Sequence, residues 1–115
     1  MPTQIVSAPI SRADLRRIAE PQFGDFVKAV VDVQRELMAI GAELHADEEA
    51  LLMQEGSRQA DLWGINLYVD RSGDDLIEFD SMINVRPSQG NRSREVEDLA
   101  LQRLIRDIVG RLVGP

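Results

Sequence analysis

The second half of the chain contains two stretches in which apolar and polar residues alternate with a period of two. In residues 61–69 the apolar row is Trp63, Ile65, Leu67 and Val69. In residues 76–86 one row is Ile77, Phe79, Ser81, Ile83 and Val85, and the other is Glu78, Asp80, Met82, Asn84 and Arg86. This period is typical of a strand with one buried face. The turn sequence DRSGDD lies between the two stretches, and its Gly73 suits a left-handed position. Pro87 follows the second stretch. Together these features predict an antiparallel β-hairpin.

The pairing of this hairpin has two plausible registers, because the apolar rows of both strands must lie on the same face of the sheet. A three-residue loop places Asn66 opposite Glu78 and Gly64 opposite Asp80. A five-residue loop places Tyr68 opposite Glu78 and Asn66 opposite Asp80. Either register gathers polar side chains on the face that the apolar rows leave free.

Apolar residues at helical spacing predict four helices outside the hairpin. The predicted ranges are residues 12–19, 23–40, 47–55 and 98–113. Ser11, Asp47 and Asp98 are suited to the N-termini, and Gly41 and Gly56 to C-termini. Residues 4–6 are expected to form a short edge strand, which pairs with either hairpin strand or with neither.

These elements predict an α+β domain in which helices cover one face of a small, mainly antiparallel sheet. The length of 115 residues favours a single domain, residues 1–115, with its own hydrophobic core. The absence of cysteine excludes disulfides and thiolate chemistry. Since the N-terminus lacks a secretory pattern and no apolar run approaches the roughly 18 residues of a membrane span, we expect a cytoplasmic protein.

The chain is acidic, with a formal net charge of −7 and a pI of about 4.6. Binding to nucleic acid or to an anionic membrane needs clustered Lys and Arg, so this charge disfavours both as partners. Nucleophilic catalysis has little support, because the chain has one histidine, no cysteine and no G-x-S-x-G motif.

Glu78 and Asp80 suggest a first hypothesis, in which the hairpin binds Mg²⁺ or Mn²⁺. Carboxylates two residues apart on a strand project side by side, and their oxygens are ligands that these ions prefer. His45 is a candidate third ligand, although a lone histidine is most often exposed or a capping residue. A hydrolytic site needs a further acid near the metal, and Asp61 and Asp70 are the candidates. The hypothesis describes a phosphoesterase or nuclease; in the alternative, the acids line a solvated face.

A second hypothesis places an anion site in the loop that follows the hairpin. Its candidate residues are Arg86, Asn91, Arg92, Ser93 and Arg94. Arginine offers a planar fork of donors, and glycine and asparagine permit a loop whose amides point inward, which suits a phosphorylated small molecule. In the alternative, Arg86 or Arg92 forms ion pairs with Glu78, Asp80 or Asp98.

A third hypothesis is an interaction surface that pairs two copies into a homodimer or holds a protein partner. The candidate side chains are Trp63, Leu67, Tyr68 and Met82, of types that interfaces favour. Trp63 shares the parity of Ile65 and Leu67 and is better assigned to the core, which leaves Tyr68 and Met82. The polar face of the hairpin is the wider candidate site, with Asn66, Tyr68, Glu78, Asp80, Asn84 and Arg86.

The segments WGINLYV, IEFDSMINVRP and GNRSREVED resemble a small bacterial family of domains of unknown function, family number 5674. The resemblance covers most of the chain and is strongest over residues 61–98. It implies a bacterial, cytoplasmic protein, and it brings no established activity, cofactor or catalytic residue. The family pattern has proline after Tyr68 and after Asp98, where this chain has Val69 and Leu99.

The sequence therefore favours a binding or protein-interaction module over an enzyme. The alternative is the metal-dependent phosphoesterase or nuclease that uses the hairpin acids, with Arg86 and Arg92 holding the phosphate. Both interpretations place the site on the polar face of the hairpin and in the arginine-rich loop.

Overall fold

The computed structural model describes residues 3–114. Its sheet has five antiparallel strands in the order β1-β3-β2-β4-β5. The strands are β1 Gln4–Val6, β2 Phe26–Asp32, β3 Leu37–Ile40, β4 Leu62–Tyr68 and β5 Ile77–Glu78, and the helices are α1 Arg12–Ala19, α2 His45–Gln54 and α3 Leu99–Leu112. The predicted α+β class is confirmed.

The long helix predicted for residues 23–40 is wrong, because this segment forms the hairpin of β2 and β3. Apolar residues occur on both faces of β2: Val27 and Val31 belong to one core cluster and Val30 to another. A strand that is buried on both faces loses its period of two, so its apolar positions also fit helical spacing. The run of β-branched valines was the local signal that favoured a strand.

The turn between β2 and β3 is held by the buried carboxylate of Asp32. Its Oδ1 accepts hydrogen bonds from the backbone N–H groups of Gln34 and Arg35, both at 2.9 Å. Its Oδ2 accepts a hydrogen bond from Ser57 Oγ at 2.6 Å. An aspartate that bonds to its own turn favours a reversal of the chain over continuation of a helix.

Helices cover both faces of the sheet, and the prediction of a single covered face is wrong. On one face, α1 and α3 pack against the odd-numbered residues of β2 and β4. This cluster includes Leu15, Ile18, Val27, Ala29, Val31, Trp63, Ile65, Leu67, Ile105, Ile108 and Leu112. On the other face, Leu52 of α2 packs against Val30, Ala39 and Leu62. Since α2 covers only part of that second face, the remainder is free to form a site.

The predicted caps of α1 and α3 are confirmed. Ser11 Oγ accepts a hydrogen bond from Asp14 N at 3.1 Å, and Asp98 Oδ1 accepts one from Ala100 N at 2.9 Å. Helix α2 begins at His45 instead of after Asp47, and its N-cap residue makes no side-chain hydrogen bond. The earlier start places His45 in the first turn, where it is buried.

In the β4–β5 hairpin, Asn66 pairs with Glu78 and Leu67 with Ile77. This is the register predicted for the three-residue loop, although the connection is longer and includes a 3₁₀ helix at Gly73–Asp75. Gly73 has a φ of 60°, the left-handed conformation expected of it. The strand predicted for residues 76–86 is wrong beyond Glu78, so Gly64 does not pair with Asp80.

The edge strand predicted for residues 4–6 is confirmed. It pairs with β3, where Ile5 lies opposite Ala39, and therefore with neither strand of the β4–β5 hairpin. In the span of residues 3–114, no helix is long and apolar enough to cross a membrane.

Candidate functional site

A pocket of about 430 Å³ opens on the part of the sheet that α2 leaves uncovered. It lies between the start of α2, the strands β2, β4 and β5, and the segment that follows β5. Its lining residues are Phe23, Phe26, Lys28, Leu44, His45, Ala46, Asn66, Glu78, Asp80, Ser81, Met82, Ile83 and Arg94. The volume falls within the range of roughly 300–1,000 Å³ that is usual for small-molecule sites.

The floor of the pocket is a row of three polar side chains on adjacent strands. Lys28 lies opposite Asn66, and Asn66 lies opposite Glu78, so the three side chains share one face. Asn66 Nδ2 donates a hydrogen bond to Glu78 Oε1 at 2.8 Å, and Tyr68 Oη donates to the same oxygen at 3.2 Å. Asn66 is only 7% exposed, and its Oδ1 is buried without a partner in the described structure.

Lys28 and Glu78 carry opposite charges at the two ends of this row, but they do not pair. Among residues 3–114, neither side chain takes part in an ion pair. The Lys28 ammonium instead lies 5.3 Å from the centroid of the Phe23 ring, within cation–π distance. Lys28 is also the single lysine of the chain.

His45 forms part of the pocket wall from the first turn of α2. Its Nε2 lies 2.8 Å from the carbonyl oxygen of Ile65, so Nε2 carries the proton and donates it, and Nδ1 is left as an acceptor. Burial lowers the pKa of His45 below its ordinary value of 6.5 and outweighs the hydrogen bond to Ile65, which raises it. The imidazole is therefore neutral at pH 7.

The rim of the pocket is partly apolar. Leu44 and Met82, which both line the pocket, are 57% and 66% exposed. Phe23 and Phe26 stack with their ring centroids 4.6 Å apart, and Phe26 continues to Tyr68 at 5.3 Å. An apolar rim over a polar floor suits a ligand that has both an apolar body and polar groups.

Asp80 and Arg94 form an ion pair at the edge of the pocket, with Nε and Oδ1 2.7 Å apart. Both side chains are substantially exposed, so the pair contributes little to stability. Arg94, one of the anion-binding candidates, is thus in an ion pair, whereas the ion pairs predicted for Arg86 and Arg92 do not form among residues 3–114.

The three residues of the metal hypothesis, Glu78, Asp80 and His45, all line this pocket. Within the described part of the chain, however, no three His, Asp or Glu side chains are close enough together to hold a metal ion. Asp61 and Asp70 do not line it. The metal site therefore stays a prediction.

Two of the polar-face candidates serve the backbone instead of the pocket. Asn84 is fully buried, and its side-chain amide is hydrogen-bonded to Gly64 and to the carbonyl oxygen of Arg94. The Arg86 guanidinium donates to the carbonyl oxygens of Ile83, Gln59 and Leu62. It also lies over the Trp63 ring, 4.4 Å from the centroid. With these contacts made, neither side chain is free to hold a phosphate.

The predicted anion loop binds a carboxylate of its own chain. The backbone N–H groups of Arg92 and Ser93 donate to Glu97 Oε2 at 2.9 and 2.7 Å. Hydrogen bonding by the Ser93 side chain, and then by these two backbone groups, lowers the pKa of Glu97. Asn91 is buried, and its Nδ2 donates to three backbone carbonyls, including those of Asn84 and Glu95, each at 2.7 Å. The sequence predicted a loop whose backbone amides point inward, and in the structure these amides are hydrogen-bonded to Glu97.

Trp63 is 5% exposed and lies in the core, as its parity predicted. Leu67 is also buried, Tyr68 is half-buried and Met82 is exposed. Of the interface candidates, Met82 therefore remains the accessible one, and it stands on the rim of the pocket.

Sequence reasoning missed the side of the pocket that β2 supplies. Phe23, Phe26 and Lys28 lie in the segment that was assigned to a helix, and Leu44 lies in the connection that follows it. The one available signal was compositional, because a single lysine stands among aromatic and β-branched residues in an otherwise Lys-free chain.

Comparison with known proteins identifies the family. A family model with the description "Protein of unknown function (DUF5674)" matches residues 4–112, which confirms the resemblance seen in the sequence. No curated protein and no solved structure matches the chain.

Proposed function

We propose that this chain, which belongs to the DUF5674 family, is a binding module that holds a small organic molecule in the pocket beside α2. The observation that carries the proposal is the pocket itself. It has the volume of a ligand site, an apolar rim, and a polar floor on which the Lys28 charge has no partner among residues 3–114.

Binding accounts better than catalysis for the way in which the polar groups are fixed. Glu78 Oε1 accepts hydrogen bonds from Asn66 and Tyr68, and the Nε2 proton of His45 is committed to Ile65. Groups that are held in one orientation by neighbours recognise a ligand at a low entropic cost.

The single lysine makes the test specific. Reductive methylation with ¹³C-formaldehyde labels Lys28 and the N-terminal amine, so one side-chain NMR signal reports on the pocket. The probes are 3-phenylpropanoate, 2-phenylethylamine and L-phenylalanine, which share an apolar ring and differ in charge. We expect at least one of them to shift the Lys28 signal saturably and to raise the melting temperature of the unlabelled protein.

The matched variants are Lys28→Met and Arg103→Met. Arg103 is an exposed cation on α3, which packs on the opposite face of the sheet. Stabilisation by a probe that carries a carboxylate, 3-phenylpropanoate or L-phenylalanine, should be reduced in Lys28→Met and kept in Arg103→Met. If none of the three probes shifts the Lys28 signal, the proposed function is wrong.

The metal-dependent phosphoesterase or nuclease is the second candidate, because Glu78, Asp80 and His45 line the same pocket. It requires that Mn²⁺ bind to the wild type and that the double substitution Glu78→Gln, Asp80→Asn abolish the binding. Calorimetry with Mn²⁺ checks both requirements. Equal Mn²⁺ affinity in the wild type and the double variant would count against this candidate.

The homodimer and the protein partner concern the same surface. A dimer through Met82, which is 66% exposed, would place the second copy on the rim of the pocket. Sedimentation equilibrium of the wild type and of Met82→Asp tests this arrangement, and an association constant that the substitution leaves unchanged would contradict it.

A further inference from the structure

The two free charges of the pocket floor lie two strand spacings apart. Lys28 on β2 and Glu78 on β5 flank Asn66 on β4 in one cross-strand row, so their Cα atoms are separated by roughly 10 Å. The Lys28 side chain leans over Phe23, and Asn66 and Tyr68 hold the Glu78 carboxylate by hydrogen bonds. The row thus keeps a cation and an anion facing the same pocket without neutralising each other.

The other titratable groups near the row do not neutralise these charges. Glu48 on α2 is close enough to Lys28 to interact with it electrostatically. Burial raises the pKa of Glu48 to about 9, so this carboxyl group is uncharged at pH 7. His45 is neutral at the same pH because burial lowers its pKa. Asp80 and Arg94 neutralise each other in their own ion pair. The pocket therefore presents one unpaired positive and one unpaired negative charge.

We propose that the ligand is a zwitterion with an apolar side chain, as a free amino acid or a dipeptide is. Its carboxylate would pair with the Lys28 ammonium and its ammonium with the Glu78 carboxylate. Its side chain would contact Phe23 and Phe26. This inference rests on the proposed function, since it names the ligand class of the same pocket.

The physical reason is the cost of covering charges that lack an ion-pair partner, since Lys28 is half-buried and Glu78 is exposed before a ligand binds. A ligand with one charge neutralises one end of the row and leaves the other end beneath it, desolvated and unpaired. A ligand with both charges satisfies both ends at once. Asn66 acts as a positioning residue, because its Nδ2 holds Glu78 in place while its own backbone belongs to the central part of the sheet.

The test compares the dissociation constants of the three probes by calorimetry on the full chain. L-Phenylalanine should bind at least about tenfold more tightly than 3-phenylpropanoate and 2-phenylethylamine, the gain expected from one additional charged hydrogen bond. L-Phenylalanyl-glycine, in which the two charges are further apart, distinguishes a dipeptide from a free amino acid as the source of the zwitterion.

Two substitutions, one at each end of the row, test which charge of the ligand each residue binds. Lys28→Met should reduce the affinity for L-phenylalanine to that for 2-phenylethylamine, and Glu78→Gln should reduce it to that for 3-phenylpropanoate. Glutamine keeps an oxygen that accepts the hydrogen bond from Asn66 Nδ2, so the floor is preserved. If a singly charged probe binds in the pocket as tightly as L-phenylalanine, the zwitterion inference is wrong while the proposed function stands. If no probe binds there, both are wrong.

Discussion

Asn84 is hydrogen-bonded to the backbone of Gly64 through both ends of its side-chain amide. The Gly64 N–H group donates to Asn84 Oδ1 at 2.8 Å, and Asn84 Nδ2 donates to the Gly64 carbonyl oxygen at 2.9 Å. The side chain thereby takes the place of the next strand at the point where β5 has ended. This substitution lets residues after Glu78 leave the sheet and form the wall of the pocket.

Asn84→Ala should lower the free energy of unfolding by about 3 kcal/mol, because it leaves both polar groups of Gly64 buried without their partners. Denaturant unfolding followed by the fluorescence of Trp63, the single tryptophan of the chain, measures the loss. Ser88→Ala, at an exposed position, is the control and should be neutral. A loss below about 0.5 kcal/mol would show that water replaces the amide.

Gly64 must lack a side chain because the segment after β5 crosses directly over it. A Cβ atom at this position would lie 2.5 Å from Ser81 Cβ and 3.1 Å from Ile83 Cγ1. We expect Gly64→Ala to destabilise the protein by about 1–3 kcal/mol through overpacking. Adding Ser81→Gly should recover part of that loss, and a double-mutant cycle of unfolding free energies measures the recovery. Strict additivity of the two substitutions would contradict the contact.

The sequence predicted the relationships that depend on alternation within one hairpin. Matching the two apolar rows left two registers, one of which, with Asn66 opposite Glu78, is the observed pairing. Trp63 in the core followed from its parity with Ile65. These inferences need only the period of two and the antiparallel pairing of a hairpin, which are local properties of the chain.

The side of the pocket that β2 supplies could not be predicted, because it depends on the order of strands in the sheet and not on local alternation. Lys28 reaches the site because β2 lies between β3 and β4, and a central strand that is buried on both faces shows no alternation. Likewise, the type of residue at 86 and 91 suggested a ligand, but their partners are backbone groups. The Arg86 partners at Gln59 and Leu62 are distant in sequence, so only the folded chain shows that its donors are already used.

Arg86→Lys should therefore reduce stability and leave binding of inorganic phosphate unchanged. A lysine ammonium cannot reproduce the planar fork that reaches three carbonyl oxygens while lying over the Trp63 ring. We expect a loss of about 2 kcal/mol in the free energy of unfolding, monitored by circular dichroism. Phosphate affinity that falls with the substitution would instead support the anion-site hypothesis at Arg86.

His45 should make the protein less stable at mildly acidic pH. The unfolded chain takes up a proton near pH 6.5, whereas burial holds the folded-state pKa lower. Below pH 6.5 the unfolded state therefore binds more protons, so stability falls as the pH drops towards the folded-state pKa. Because His45 is the single histidine, one set of imidazole NMR signals gives its pKa directly.

The effect of His45 on stability is measured as a difference in unfolding free energy between two proteins. The unfolding free energy of the wild type minus that of His45→Gln should decrease between pH 7.5 and pH 5, since glutamine does not titrate. A constant difference over this range, or an imidazole pKa above 6.5, would show that the ring is not held in its neutral form.

Glu48 should act in the opposite direction, at neutral and alkaline pH. Its carboxyl group is fully buried, Oε2 accepts a hydrogen bond from Ala42 N at 3.1 Å, and burial raises the pKa from 4.5 to about 9. Between these two values the folded state keeps a proton that the unfolded state has lost, so stability falls as the pH rises.

Glu48→Gln should remove this dependence, because glutamine keeps an acceptor for Ala42 N and has no proton to lose. It should stabilise the protein at pH 7 by less than about 3 kcal/mol, because its NH₂ group would replace Oε1, which is buried without a partner among residues 3–114. Unfolding at pH 5, 7 and 9 measures the effect, with Glu43→Gln at an exposed position as the control. Since the uncharged Glu48 does not compete for the Lys28 ammonium, the affinity for L-phenylalanine should be the same in Glu48→Gln as in the wild type. A clear gain in affinity would mean that Glu48 is ionised and already pairs with Lys28, and the pocket would then lack its free positive charge.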